Sequence, residues 1–332
     1  MPVTLAQAAQ NTQSDYDPFI IDEFRKDNPI LDTMEFDQAV NPAGGGATLT
    51  YGYRRKVSTS GADFRAINAE YAPSEATTEA FSTELKVLGG SFQIDRVLAN
   101  LGPAASGEVA FQMGDKIQAA RRKFADAVIN GDTAQDADSF DGLNVALTGS
   151  DTEFQASELG LANWTDLDTN GAAAHQVLDL LDEWLAALDG APTVILGNRR
   201  AIARVRAVAR RASMYTVSPM IGVAEHDNEG NAIGRTERYG NIYLVDPGQK
   251  PGTNEDIIPL TAGATDLYAY RVGMDGFHGV TTVGSQLVQS WLPDFSSSGA
   301  VKTGEVELGP VGVALKKTKA ATVLRGVTVA GA

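Results

Sequence analysis

The chain has 332 residues, 43% of them hydrophobic, enough to bury a sizeable core in one elaborate domain or two interlocked ones and too apolar for a disordered tail. Its 27 Lys plus Arg are outweighed by 42 Asp plus Glu, a formal net charge of −15 that argues against a surface built to grip phosphate. Cysteine is absent, which excludes disulfides, thiolate nucleophiles and thiolate metal sites.

Residues Met1 to Asn11 do not have the basic-then-apolar order of a secretory signal. No apolar run approaches the ~20 residues that cross a bilayer. A soluble, cytoplasmic product is expected. Residues 1–45 are rich in Asp, Asn and Gln, with scattered apolar anchors at Phe19, Ile20, Ile21, Phe24, Ile30, Leu31, Met34 and Phe36. They end in Asn41-Pro42 and Gly44 to Gly46, which reads as an extended arm with short helical turns lying on something else. Residues 47–53 alternate with a period of two, as a strand with one covered face should. A return strand is expected near 79–95, where Phe81, Leu85 and Val87 share one parity and Phe92 and Ile94 the other; Gly89-Gly90 between them suggests a bulge. The intervening stretch is polar and small. It is too long for an ordinary connection, for which ~12 to 15 residues is already uncommon, so it is expected to reach a partner. A long two-stranded ribbon is marginal alone in water, which points the same way.

Gly102-Pro103 opens the strongest helix, 104–130, with Val109, Met113, Ile117, Ala120, Phe124 and Val128 on one stripe and Asp115, Arg122 and Asp126 opposite. Gly131 stands where a helix exit favours glycine. A second helix is expected over 171–189, a buried strand at Thr193 to Leu196, and a third helix over Arg199 to Ala212. Strands are expected at 242–245 and 266–272. The chain closes with a hairpin-like pair, Val311 to Leu315 and Thr322 to Val329.

Few residues suit catalysis. His175 sits among leucines on a helix and reads as a packed or half-exposed histidine. His226, in Glu225 to Gly230, has metal-ligand neighbours but the composition of an exposed turn. His278 has no nucleophile-elbow serine near it. Asp132, Asp136, Asp138 and Asp141 lack the calcium-loop spacing, and Gly44 to Gly46 is not followed by the Lys-Ser/Thr of a phosphate loop. No enzyme, cofactor or metal is expected. The third helix gathers Arg199, Arg200, Arg204, Arg206, Arg210 and Arg211 on one side; pairing with acidic faces of neighbouring copies explains it better than DNA, because interleaved aromatics for stacking are missing.

This order of parts resembles the tailed-bacteriophage major capsid protein family of the Hong Kong 97 type, over nearly the whole chain. Val128-Ile129-Asn130-Gly131-Asp132 followed by Phe140-Asp141-Gly142-Leu143 is similar to that family's helix exit, and Gly304 to Leu315 followed by Lys317 to Ala321 is similar to its terminal strands. The resemblance implies an α+β fold with an N-terminal arm (1–45), an extended β-hairpin loop (46–100), a peripheral domain with the spine helix (101–141 and 276–332) and an axial domain (142–275). It implies a non-enzymatic subunit that assembles into hexamers and pentamers of an icosahedral shell around double-stranded DNA, made in the host cytoplasm and ending in the virion. Because the arm begins near Met1, a separate scaffolding protein is expected, with a portal and a decoration protein as further partners; an encapsulin-type nanocompartment shell is the alternative. Candidate intersubunit contacts are Tyr51, Tyr53, Arg54, Arg55, Lys56, Phe64 and Arg65 on the loop and Arg199, Arg200 and Arg204 on the arginine helix. Lys56 and Lys86 read as solvated lysines and not as cross-linking groups.

Overall fold

The computed structural model describes residues 29–40, 49–96, 103–160, 162–165, 171–211, 237–253, 255–282 and 287–330. The glycine run at 44–46 and the Glu225 to Gly230 turn with His226 lie outside them, as do the arm anchors Phe19 to Phe24.

The described chain starts with α1 (Pro29–Thr33) and β1 (Phe36–Val40). These residues lie on their own chain's core. Ile30 is fully buried, Leu31 and Met34 nearly so, and β1 pairs in parallel with β10 (Phe277–Thr282). The pairing sets Phe36 over Gly279, where a Cβ would come within 2.5 Å of the Phe36 ring.

Strands β2 (Thr50–Lys56) and β3 (Thr78–Glu84) form a two-stranded antiparallel ribbon. The expected return strand is two strands. At Leu85 the chain leaves the ribbon and continues as β4 (Lys86–Asp95), which pairs with β12 (Val301–Leu315). The change of parity therefore occurs where the chain changes sheets, and not at a bulge: Gly89 and Gly90 are both paired, opposite Glu307 and Val306. Gly89 has no room for a side chain, since a Cβ there would stand 2.5 Å from the Val306 carbonyl oxygen, whereas one on Gly90 would meet only the Lys116 side chain at 3.6 Å. Val87, expected to share a face with Leu85, is exposed. The long β12 is the centre of the first sheet. It has β4 along one edge, and β11 (Val288–Trp291) and β10 along the other.

Helix α2 (Pro103–Asn130) crosses this sheet, packing Met113 with Phe92 and Val306. The predicted stripe faces inward throughout, but Arg122, placed on the outer side by periodicity, is only 7% exposed. The helix is amphipathic in its first half and covered all round in its last two turns, where Phe124, Ala125, Val128 and Ile129 are fully buried. At its exit Gly131 does not adopt a left-handed conformation. It is required because a Cβ would stand 2.1 Å from the Phe140 carbonyl oxygen and 2.5 Å from that of Ala127. Gly131→Ala is expected to cost about 1–2 kcal/mol. Gly114→Ala, on the same helix with nothing within 4 Å of the added carbon, should instead gain up to about 1 kcal/mol. Urea midpoints of the two variants would check the opposite signs.

The second sheet runs β5 (Glu153–Gln155), β13 (Ala321–Thr328), β9 (Ala264–Tyr270), β6 (Val194–Gly197), β8 (Ile242–Val245), β7 (Glu237–Tyr239). The predicted terminal hairpin does not form, because β13 leaves β12 and inserts between β5 and β9. Alternation splits the two faces. Val194, Leu196, Tyr268, Tyr270 and Val323 join Phe124, Ile129 and the short α3 (Leu143–Leu147) in the main core. Ile195, Leu267, Ala269 and Leu324 face the other way, under α4 (Gly171–Ala186) and α5 (Arg199–Arg211). Trp164 and Trp184 are fully buried in that second cluster. Among the described residues no helix is long and apolar enough to cross a membrane.

Candidate assembly surfaces

Side chains on β2 alternate between two fates. Tyr51, Tyr53 and Arg55 turn toward the first sheet. The Tyr51 hydroxyl donates to Asp37 at 2.8 Å, the Tyr53 hydroxyl to the Leu315 carbonyl at 3.1 Å, and the Arg55 guanidinium to the Leu315 and Lys316 carbonyls at 2.8 and 3.0 Å. Arg55 also lies 4.2 Å over the Phe81 ring. Burial and the nearby Asp37 carboxylate push the Tyr51 phenol well above its ordinary range. Tyr51, Tyr53 and Arg55 thus act as anchors within the chain. They root the ribbon on the C-terminal end of β12, and the parity that unites them is the parity that faces β12. Arg55→Ala removes two charge-assisted bonds and the ring contact. About 2 kcal/mol of anchoring should be lost, read as faster amide exchange in β2 and β3.

The other β2 residues, Arg54 and Lys56, are exposed, as is every residue from 56 to 80. The protruding loop, 57–77, has internal order. Val57 and Ser58 bond back to Thr77, Gly61 bonds to Ser74, and Ala66 to Ala69 makes a turn with Asn68 at φ +68. Arg65 donates to the Ala69 carbonyl at 3.1 Å and sits 5.3 Å over Tyr71. On this frame Phe64 is fully exposed, Ile67 is 91% exposed, and Val57 and Tyr71 are more than half exposed. Four large apolar side chains held out on a polar ribbon make a surface that water disfavours and a partner would cover.

The arginine helix is also divided. Ala201, Ile202, Val205, Val208 and Ala209 are buried against the second sheet. Arg199, Arg200 and Arg210 are exposed. Arg204 is half-buried, and its Nε donates to the Val329 carbonyl at 2.9 Å, which ties α5 to the end of β13.

A third surface escaped sequence reasoning. Trp291, Leu292, Phe295 and Val301 are exposed at the outer end of the β11–β12 hairpin, and the connecting loop is folded around Lys302. The Lys302 ammonium is 5% exposed as a residue and donates to the carbonyls of Ser297 and Ser298 and to the Ser297 hydroxyl, at 2.6 to 3.1 Å. The run Trp291-Leu-Pro-Asp-Phe295 followed by three serines was the available signal: large apolar groups beside turn formers.

The acidic groups and histidines take structural places. Asp132 and Asp136 accept from the amides two residues on, as in Asx turns, and Asp141 accepts from the Thr133 amide across the loop. Among the described residues no group of three or more His, Asp or Glu is placed to hold a metal. His278 is fully buried, edge-on to Tyr51, and its pKa is lowered by burial and by Lys316; His175 is exposed on α4. A cavity of about 290 Å³ between the end of α2 and the second sheet is lined by Asn130, Asn144, Asp266, Tyr268 and Arg325. Arg325 pairs with Glu153 and, at 3.2 Å, with Asp266, and donates to Asn144 and Thr148 at 2.8 and 3.0 Å. Burial pushes the Tyr268 phenol up to about 12. These groups are spent on one another and join four elements.

The sequence matches no protein-family profile and no curated protein. The fold, however, matches solved structures nearly end to end. The holo-SrpI encapsulin complex of Synechococcus elongatus PCC 7942 aligns with a TM-score of 0.63 at 14% identity, covering 99% of this chain and 97% of that one. The capsid of a native GTA particle aligns at 0.62 and 13%, covering 98% and 99%. A chain of Mycobacterium phage Bobi aligns at 0.61 and 14%, again covering 98% and 99%. With its spine helix, rooted ribbon and two sheets, the chain has the α+β Hong Kong 97 type fold of phage capsid proteins.

Proposed function

We propose that this chain is the major capsid protein of a tailed bacteriophage, a non-enzymatic subunit that assembles into hexamers and pentamers of an icosahedral shell around double-stranded DNA. The observation that carries the reading is the ribbon. It is rooted by Tyr51, Tyr53 and Arg55, yet it presents Phe64, Ile67 and Tyr71 to water. A second copy covering that tip supplies the apolar burial that the subunit lacks alone. In this reading the protruding loop, 57–77, lies over the adjacent subunit, with Arg54, Lys56, Phe64 and Arg65 as contacts. The peripheral part (101–141 and 276–332, less β13) carries the shell wall. The axial part, residues 142–275 with β13, faces the ring centre. Head-to-tail contact repeated about an axis closes the rings. The net charge of −15 suits DNA that is enclosed and not gripped. A scaffolding protein, a portal and a decoration protein are the proposed partners, the host cytoplasm the place of assembly and the virion the destination.

The encapsulin alignment supports a second reading, a nanocompartment shell, since that structure matches as fully as the phage chains do. The test is to express the full chain alone and together with the genes that flank its own, then image the products by negative-stain electron microscopy. Closed shells, with nuclease-protected DNA in particles from the native source, are expected. Shells holding protein cargo and no DNA would establish the second reading. A monomer or dimer under every condition would overturn both.

A further inference from the structure

Two faces of opposite charge lie side by side on the outer layer of the second sheet. On α5 the six arginines fall within about 160° of arc at ~100° per residue, and Arg199, Arg200 and Arg210 are exposed. On α4, which packs beside α5 over the same apolar cluster, Asp179, Asp182 and Glu183 are exposed on one stripe. Asp182 accepts from the Tyr239 hydroxyl at 2.8 Å. Asp179, Glu183, Arg199, Arg200 and Arg210 make no ion pair within the chain among the described residues.

A closed ring needs two different patches on each copy, one to give and one to receive. Resting on the shell-subunit reading above, we propose that the arginine face of α5 on one copy seats against the acidic face of α4 on the next copy around the ring. Charge complementarity picks this occupant. The chain's excess of negative charge means that any neighbouring copy offers carboxylates, and the α4 stripe concentrates them on one helix. Arginine suits the role because its planar fork binds carboxylates at two points. Nucleic acid is the competing occupant, and α5 has no aromatic residue on which bases could stack.

The experiment uses the full chain under whichever condition of the preceding test yields wild-type particles. Arg199→Glu with Arg200→Glu reverses one face, and Asp179→Lys with Glu183→Lys reverses the other. All four sites are exposed, so thermal melts should match wild type. Each reversed chain should lose assembled particles by about tenfold or more in size-exclusion chromatography and electron microscopy. The chain carrying all four substitutions should recover closed shells. An equal mixture of the two reversed chains can satisfy every contact only by alternating, so it should form six-membered rings and no five-membered ones. Normal assembly of either reversed chain, or no recovery in the fourfold chain, overturns the pairing. Normal assembly with lost DNA content would assign α5 to nucleic acid instead. Failure of the wild type under every condition sinks the shell reading itself, a different result from failure of this contact.

Discussion

In the proposed shell, deleting residues 58–74 should abolish particle formation while leaving a folded subunit. The deletion joins Val57 to Glu75 and leaves two residues before Thr77, the length of a tight hairpin turn. Writing Asn-Gly there (Glu75→Asn, Ala76→Gly) supplies the residues such a turn favours. The in-register pairs from Thr50 with Glu84 to Lys56 with Thr78 survive, as do the anchors at Tyr51, Tyr53 and Arg55. What disappears is the exposed apolar tip. Burying a large apolar side chain contributes about 1.5–3 kcal/mol, so Phe64 and Ile67 together represent about 3–6 kcal/mol of gross contact energy at each ribbon. A shell is held by many such contacts, and removing one class from every subunit acts on all of them. Sedimentation velocity would show wild-type particles against a slow single species for the deletion, with unchanged circular dichroism. Normal particles from the deletion would remove the ribbon from the assembly mechanism.

Replacing Arg325 by Met is expected to destabilise the subunit itself by about 2–3 kcal/mol. The guanidinium links β5 through Glu153, β9 through Asp266, and α3 through Asn144, with Thr148 just beyond it. Its loss leaves two carboxylates facing each other across a cavity. The side chains of Arg325 and Glu153 each keep 18% of their surface, so solvent screens part of the cost and the figure sits at the low end for a buried pair. The pH dependence follows from Glu153. Its carboxyl is held below the ordinary value of 4.5, first by the Gly149 amide and then by Arg325. A depressed folded pKa adds stability above the unfolded value, and that stability is lost as pH falls through the folded one. The gap between wild type and Arg325→Met in urea melts should therefore be full at neutral pH and narrow progressively below about pH 4.5. A gap that stays constant to pH 3 would mean that the arginine acts by packing and not by charge.

Periodicity made the helical parts legible. The stripe from Val109 to Val128 and the division of α5 into apolar and arginine sides both appear as read, because a helix against one surface repeats its burial every 3.6 residues. It failed at Arg122, which is covered although its neighbour Lys123 is exposed. For a related reason, alternation alone did not show the first half of β12, which entered only through the resemblance. Its inward parity is Lys302, Gly304, Val306 and Leu308, and two of those four look like surface or turn residues. Lys302 is covered because three oxygens of its own loop receive it, and Gly304 because the Phe92 ring lies within 2.5 Å of where a Cβ would be. Contact residues were the hardest to place. Alternation groups Tyr51, Tyr53 and Arg55, but it cannot say that the face they share is the one closed by β12. The bond from Arg204 to Val329 spans 125 positions of sequence. The protruding loop, by contrast, was readable from its length, since an irregular stretch that long is uncommon inside a compact domain.

The placement of the last two strands bears on how the subunit is made. Strand β12 is the middle of one sheet and β13 sits inside the other, so neither sheet can close until residues 301–328 have been synthesised. At about 5–20 residues per second, the ribosome holds an incomplete subunit for tens of seconds. A product truncated before β12 has no central strand in the first sheet and an unfilled place between β5 and β9 in the second. Quality control is thereby written into chain order: a polypeptide that stops before residue 301 can complete neither sheet.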